Sequence, residues 1–232
     1  MSDNIAVILA GGSGKRMETE KPKQFLGVVG KSILEYSVEA FHSHPQITEI
    51  AIVGNATHLD LIERMVAKNE WPKVKKILTG GRERYESSMA ALQIYEGRTA
   101  ANLIIHDAVR PLVNHRIISE NIKALENYGA VYTAIPSSDT VIEADSGRQT
   151  VHAIPDRENI WRAQTPQSFH LEVICKAYKE ALKDPDFAVT DDCGVVKNYL
   201  PEESIFIVKG DNRNIKITFK EDLFLIEKYL QE

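Results

Sequence analysis

The sequence predicts an α/β fold, a mainly parallel twisted sheet with helices on both faces. Three observations carry that expectation. Short β-branched runs alternate with amphipathic stretches through the first half of the chain. The strand-like runs are apolar almost throughout, as in strands buried on both faces, and not at every second residue. Glycine-led or aspartate-led loops follow several of them, where right-handed crossovers gather the strand ends along one edge.

Taken in order, "IAVIL" (5–9), "EIAIV" (49–53), "VKKIL" (74–78), "NLIIH" (102–106) and "AVYTAI" (130–135) read as strands. Residues 32–44, 59–69, 87–97 and 115–129 repeat apolar positions at i, i+3 and i+4 and read as helices. Gly97 and Gly129 stand where C-caps are expected. The alternation lapses at 136–160, where two short strands, 140–144 and 150–154, flank the turn "DSGR". A lone hairpin is marginally stable, so this one is expected to pack against something else, such as a second subunit. A helix at 171–183, a capped helix start at 190–200, a strand at 204–210 and a helix at 221–231 follow. No repeat, low-complexity segment or linker interrupts the chain, which predicts a single domain, 1–232, with a projecting β-arm at about 137–159.

The 232 residues are 43% hydrophobic, ample for a core, and carry a net charge of −5. An acidic chain argues against nucleic acid as the main partner, since a polyanion needs a broad basic surface. No signal-like or membrane-spanning apolar run is present, so a cytoplasmic protein without membrane contact is expected. Cys175 and Cys193 show no metal-ligand spacing and read as free thiols.

Against that acidic background, "LAGGSGKRMETEKPKQF" (9–25) puts glycines after a strand and then Lys15, Arg16, Lys21 and Lys23 around Pro22. The P-loop pattern fails, because Leu9 stands at its first glycine and Arg16 at its Ser/Thr; the dinucleotide fingerprint fails at Met17. Glycines in such a loop still let backbone N–H groups approach a phosphate or base. Arg16 and Lys23, converging on a triphosphate, would offset charge developing during nucleotidyl transfer.

Other constellations leave alternatives open. Asp107 in "HDAVRP" (106–111) emerges at a strand's carboxyl end, to bind Mg2+–triphosphate or a ribose hydroxyl, or merely to cap a turn. Arg110 either pairs with Asp107 or faces a substrate phosphate. "GGRERYESS" (80–88) is a second glycine-led turn; Ser87 or Ser88 caps the following helix or reads a base edge. Asp191 and Asp192 read as caps. Lys216 and Thr218 in "RNIKIT" share a side if extended. Thr140 and Arg157 stand at the two ends of the arm, which a hairpin brings together.

These segments, with "RAQTPQSF" and "NIKIT…EDL", occur in one order across nearly the whole chain and resemble the cytidylyltransferases that activate polyol phosphates. That family includes 2-C-methyl-D-erythritol 4-phosphate and ribitol-5-phosphate cytidylyltransferases. The resemblance implies a Rossmann-like nucleotidyltransferase fold, Mg2+ dependence and a homodimer exchanging β-arms. It implies that Arg16 and Lys23 act as transition-state cations, and that Leu9, Ala10, Gly11, Gly12, Gly81 and Ser87 hold the cytidine and phosphates of CTP. Asp107, Arg110, Thr140, Arg157 and Lys216 would bind the polyol phosphate, with Thr140 and Arg157 donated by the partner subunit. Arg157 and Lys216 would thereby share in catalysis. Mg2+ would ride chiefly on the CTP phosphates, so no protein ligand to it is named. "LAGG", "HDAVRP" and Ile142 after "DTV" look like the ribitol type, whereas "RENIWRAQTPQ" and the Arg16–Lys23 spacing look like the methylerythritol type. D-ribitol 5-phosphate is the expected substrate and 2-C-methyl-D-erythritol 4-phosphate the alternative. A non-catalytic nucleotide sensor is the reading of another class.

Overall fold

A computed structural model of the chain describes residues 3–12, 21–98 and 100–232. Strand β1 (Asp3–Ala10) decides the architecture. Its Ile5, Val7 and Leu9 enter one core cluster while Ala6, Ile8 and Ala10 enter another. A strand apolar on both sides is stable only between two covering layers.

The chain continues through a small hairpin, β2 (Gly27–Val28) and β3 (Lys31–Ser32), into α1 (Ile33–His42). There Ser32 and Glu35 form a reciprocal capping box that satisfies two orphan N–H groups. Then come β4 (Glu49–Gly54), α2 (Leu59–Lys68), β5 (Val74–Thr79), α3 (Arg84–Tyr95), β6 (Ala101–Asp107), α4 (His115–Ala124) and β7 (Ala130–Pro136). The arm carries β8 (Glu143–Ala144) and β9 (Val151–Ala153), after which β10 (Trp161–His170), α5 (Leu171–Ala181), α6 (Asp192–Tyr199), β11 (Ile205–Lys209) and α7 (Glu221–Gln231) complete the fold. Among the described residues a seven-stranded sheet runs in the order β11-β7-β10-β6-β1-β4-β5. Every neighbouring pair in it is parallel except the two made by β10.

The parallel sheet and its helices match the expected class, with local corrections. Strand β10 was not anticipated. Its "RAQTPQSF" is polar and broken by Pro166, so it lacks an apolar strand pattern. From Gln164 to Phe169 it is buried nonetheless, because Gln167 reaches Asp191, Ser168 reaches Asn121, and Thr165 reaches His106. The register shifts between Ala163 and Gln167, taking Pro166 out of the ladder.

Helix α4 stops at Ala124, short of the expected 129, and Gly129 is no C-cap. A Cβ there would lie 2.9 Å from Val173 Cγ2, so close packing favours the glycine. Gly97, by contrast, has φ +83 beyond the end of α3, as a helix-terminating glycine should. Helix α3 begins at Arg84 behind a Glu83–Glu86 capping box, which places Ser87 and Ser88 inside the helix and not at its cap. The arm's strands are shorter than expected. Both cysteines are free, Cys193 buried and Cys175 half-buried. Among the described residues no helix is long and apolar enough to cross a membrane.

Candidate functional site

The carboxyl ends of β1, β4, β5 and β6 open onto a cavity of about 670 Å3. Leu9, Ala10, Gly11 and Gly12 form the wall after β1; Gly81 and Ser87 form the wall after β5. Gly81 has to lack a side chain. Glu86 folds back to accept from the Glu83 N–H, and a Cβ on Gly81 would sit 2.3 Å from the Glu86 Cβ. The two walls nearly touch, since a Cβ on Gly11 would lie 3.4 Å from Ser87 Oγ. Exposed backbone N–H groups at such walls suit phosphate and base contacts.

Lys23, Asp107 and Lys216 line the same cavity. Pro22 leads Lys23 into a short 3-10 turn, Lys23–Phe25, which turns the lysine inward. It is only 8% exposed, and its Nζ donates to the Ile217 carbonyl at 2.9 Å. Gln24, which sequence reasoning overlooked, donates from Nε2 to the carbonyls of Ala10 at 2.7 Å and Gly12 at 3.1 Å. That amide braces the glycine-rich loop from beneath. The signal was its place beside Lys23, but no charge or spacing distinguished it. Arg16 and the rest of 13–20 lie outside the described residues.

Asp107 emerges from β6 as expected, 6% exposed. Arg84 Nε donates to its Oδ1 at 3.1 Å and Lys216 Nζ to its Oδ2 at 2.7 Å. Burial alone would raise its carboxyl, but the Arg84 guanidinium and the Lys216 ammonium overcome that and hold it well below the ordinary carboxylate range. The turn-cap alternative therefore does not describe it. Arg84 also donates through Nη1 to Asp192 Oδ2 at 2.5 Å. Burial acts to lower the guanidinium's proton affinity, yet the two carboxylates raise it above its ordinary value. Arg84 was missed because it sits inside "GGRERYESS", where only the glycines and serines drew notice.

Neighbouring His106 is fully buried, and burial lowers its imidazole to about 4. Its Nε2 donates to the Arg110 carbonyl at 3.1 Å, and its Nδ1 meets Thr165 Oγ1 at 2.9 Å.

Several predicted residues stand elsewhere. Arg110 does not face the cavity; its guanidinium donates to the carbonyls of Asn214 at 2.8 Å and Ala163 at 3.1 Å, bracing β10 against the 211–217 segment. Thr140 and Arg157 are exposed on the arm and do not line the cavity of their own chain. Lys216 and Thr218 do not lie on a strand; Thr218 Oγ1 instead donates to the Lys216 carbonyl. Asp191 caps α6 by accepting from the Gly194 N–H. Asp192 is no cap but the buried partner of Arg84 and Tyr178.

The donor set also bears on Mg2+. Among the described residues no cluster of three or more metal-ligating side chains exists. A divalent cation carried on a triphosphate needs only one or two carboxylates. Asp107, with one cation on each oxygen and further lone pairs free, meets that requirement.

A glycine-walled cavity at the carboxyl edge of a mainly parallel sheet, faced by Lys23, Arg84, Lys216 and Asp107, belongs to a Rossmann-like nucleotidyltransferase. The sequence model described as "IspD: 2-C-methyl-D-erythritol 4-phosphate cytidylyltransferase" matches residues 4–232, and the chain belongs to that family. It is a cytidylyltransferase acting on a polyol phosphate.

Among curated relatives, the 2-C-methyl-D-erythritol 4-phosphate cytidylyltransferase of Thermobifida fusca is 46% identical over 97% of this chain and 92% of its own length. The bifunctional ribulose 5-phosphate reductase/CDP-ribitol pyrophosphorylase Bcs1 of Haemophilus influenzae is 42% identical over 98% of this chain, which spans 48% of that longer protein. Among solved structures, the 4-diphosphocytidyl-2C-methyl-D-erythritol synthase of Anaerococcus prevotii superposes with a TM-score of 0.86 at 30% identity, covering 100% of this chain and 97% of that one.

Proposed function

We propose that the chain transfers CMP from CTP to 2-C-methyl-D-erythritol 4-phosphate, with release of pyrophosphate. The convergence of Lys23, Lys216 and Asp107 on one glycine-walled cavity carries the mechanism. The family match over 4–232 and the 46% identical relative favour this acceptor over D-ribitol 5-phosphate, reversing the preference drawn from the loop sequence. The ribitol reading keeps specific support from the H. influenzae relative.

A phosphate monoester, with a second pKa near 6, is largely dianionic at pH 7. One of its oxygens attacks the α-phosphorus of CTP; the new P–O bond forms as the bond to the bridging oxygen breaks, and that electron pair leaves with pyrophosphate. No general base is required. The obstacle is repulsion between polyanions, which positioning and positive charge relieve. Lys23 faces the triphosphate, and the family's motif assigns Arg16 to the same charge. Lys216 faces the acceptor phosphate, and Arg157 and Thr140 reach it from the arm of a second subunit. Apolar arm residues left exposed in one chain, Ile142 at 56% and Ile154 at 65%, support such a partner. Asp107 would hold Mg2+, which when bound neutralises phosphate charge. A nucleotide sensor would have no use for an acceptor-side lysine in the cavity.

Pyrophosphate release from CTP with each polyol phosphate tests the assignment. Turnover with methylerythritol phosphate at a kcat/KM well above that for ribitol phosphate is expected. The reverse ranking would install the ribitol reading, and no release with either would end both.

A further inference from the structure

Four charges of alternating sign run from the cavity into the interior. Lys216, Asp107 and Arg84 all line the cavity; Lys216 donates to Asp107, Asp107 accepts from Arg84, and Arg84 donates to Asp192 behind them. Asp192 is 0% exposed, lies outside the cavity lining and also accepts from Tyr178 at 2.7 Å. Arg84 is the first residue of α3, an unfavourable place for a cation beside the positive end of the helix dipole. Two carboxylates hold it there. Among the described residues its Nη2 is buried with no hydrogen-bond partner, and the two carboxylate bridges are the contacts that fix the guanidinium there.

We propose that Arg84 and Asp192 are positioning residues that set how much of Asp107's charge falls on Lys216, and so how strongly the Lys216 ammonium attracts substrate phosphate. The inference rests on the reading of Lys216 as the acceptor-phosphate cation. With Arg84 lost, Lys216 is the side-chain cation left on Asp107 among the described residues, and Asp107 closes on it while the cavity loses a positive charge. With Asp192 neutralised, Arg84 draws more on Asp107, which releases Lys216, while the surroundings lose a negative charge. The two changes push acceptor binding in opposite directions. A framework contact would weaken the enzyme in the same direction from either end.

The test is steady-state pyrophosphate release by the full chain, with KM and kcat for both substrates, for Arg84→Gln and Asp192→Asn. Arg84→Gln is expected to raise KM for the polyol phosphate roughly 3- to 10-fold, the size of a unit charge acting over ~10 Å in a partly screened site. Asp192→Asn, which keeps an acceptor for Tyr178 and Arg84, is expected to lower it by a similar factor. KM moving the same way in both, or in neither, overturns the proposal. Thermal unfolding checks that each variant is folded. If Arg84→Gln is not, Arg84→Lys replaces it: an ammonium bridges the two carboxylates poorly, KM should rise by a smaller factor, and an unchanged KM overturns the proposal. Lys216→Ala separates this inference from the reading beneath it. Should that variant move KM for CTP and not for the acceptor, the assignment of Lys216 fails, and the opposed signs are then read on CTP.

Discussion

Acidification from pH 7 to 4 should cost the protein stability through one imidazole. His106 sits at the end of β6, fully buried, 5.0 Å from the Phe41 ring between centroids. A backbone carbonyl can only accept, so its bond to Arg110 fixes the neutral tautomer with hydrogen on Nε2. Nδ1 then accepts from the Thr165 hydroxyl, whose oxygen in turn accepts from the Asp107 N–H. Protonating Nδ1 would put a charge in the core and break that relay. Burial is the larger influence, lowering the group from 6.5 to about 4, with the Asp107 charge opposing it.

The folded imidazole binds its proton later than the unfolded one as pH falls. Between 6.5 and about 4 the unfolded state therefore holds more protons, and stability declines through that window; above 6.5 the contribution is fully present. A fall from 6.5 to about 4, at ~1.4 kcal/mol per pH unit, amounts to about 3 kcal/mol. That is a large share of a typical ~5–15 kcal/mol total. Denaturant unfolding at a series of pH values, for the wild type and His106→Gln, measures it. The variant will be less stable at pH 7, but the difference should narrow by about 3 kcal/mol on reaching pH 4. Because His44 is also lowered by burial, the comparison matters more than the wild-type slope. Parallel curves for the two proteins would refute the assignment.

Three further outcomes follow from the site. Lys23→Ala should reduce kcat by ~10²-fold or more, as loss of a cation acting on developing charge does, and near-wild-type turnover would remove its role. Gly80→Ala should raise KM for CTP and lower Tm, since the new Cβ would lie 2.5 Å from Ser87 Oγ and 3.2 Å from Val53 Cγ1; unchanged KM and Tm would contradict the tight packing of Gly80 behind Ser87 in the wall after β5. Arg157→Ala should raise KM for the polyol phosphate more than for CTP, and equal effects would contradict its place across a subunit boundary.

The sequence made the sheet legible where burial is apolar. Strands β1, β4 and β6 are near-continuous runs of Ile, Val, Leu and Ala, and their helices repeat at the helical period. It failed where burial is polar. Gln164, Gln167 and Ser168 of β10 are each at most 4% exposed, made tolerable by specific partners that no one-dimensional pattern reveals. The cavity divides the same way. Glycines after strands and a lysine after proline announced themselves through backbone constraint. Arg84, Asp192 and Gln24 act through other residues, and their meaning depends on partners 23, 108 and 12 to 14 positions away. Arg110 shows a related limit: the spacing that set a cation beside a motif aspartate gave no sign that its guanidinium also braces the Asn214 and Ala163 carbonyls.

The reversed strand explains why this fold carries an arm at all. Strand β7 runs parallel to β6, because β10 lies antiparallel between them. The chain thus leaves β7 at the carboxyl edge, the edge that bears the cavity, and enters β10 from the same edge. A parallel successor would have required a crossover spanning a face of the sheet, usually a helix. An antiparallel one needs only a turn. The residues between Pro136 and Trp161 are therefore released from covering the core, and they project as a hairpin from the active edge. Had β10 been parallel, those residues would be committed to packing, and the exchange of Thr140 and Arg157 proposed above would have no hairpin to carry it. The polar, proline-broken segment that hid β10 from the sequence also supplies, through Thr165, the hydroxyl that ties His106 to Asp107. One strand thereby sets both where the arm projects and how the cavity's aspartate is held.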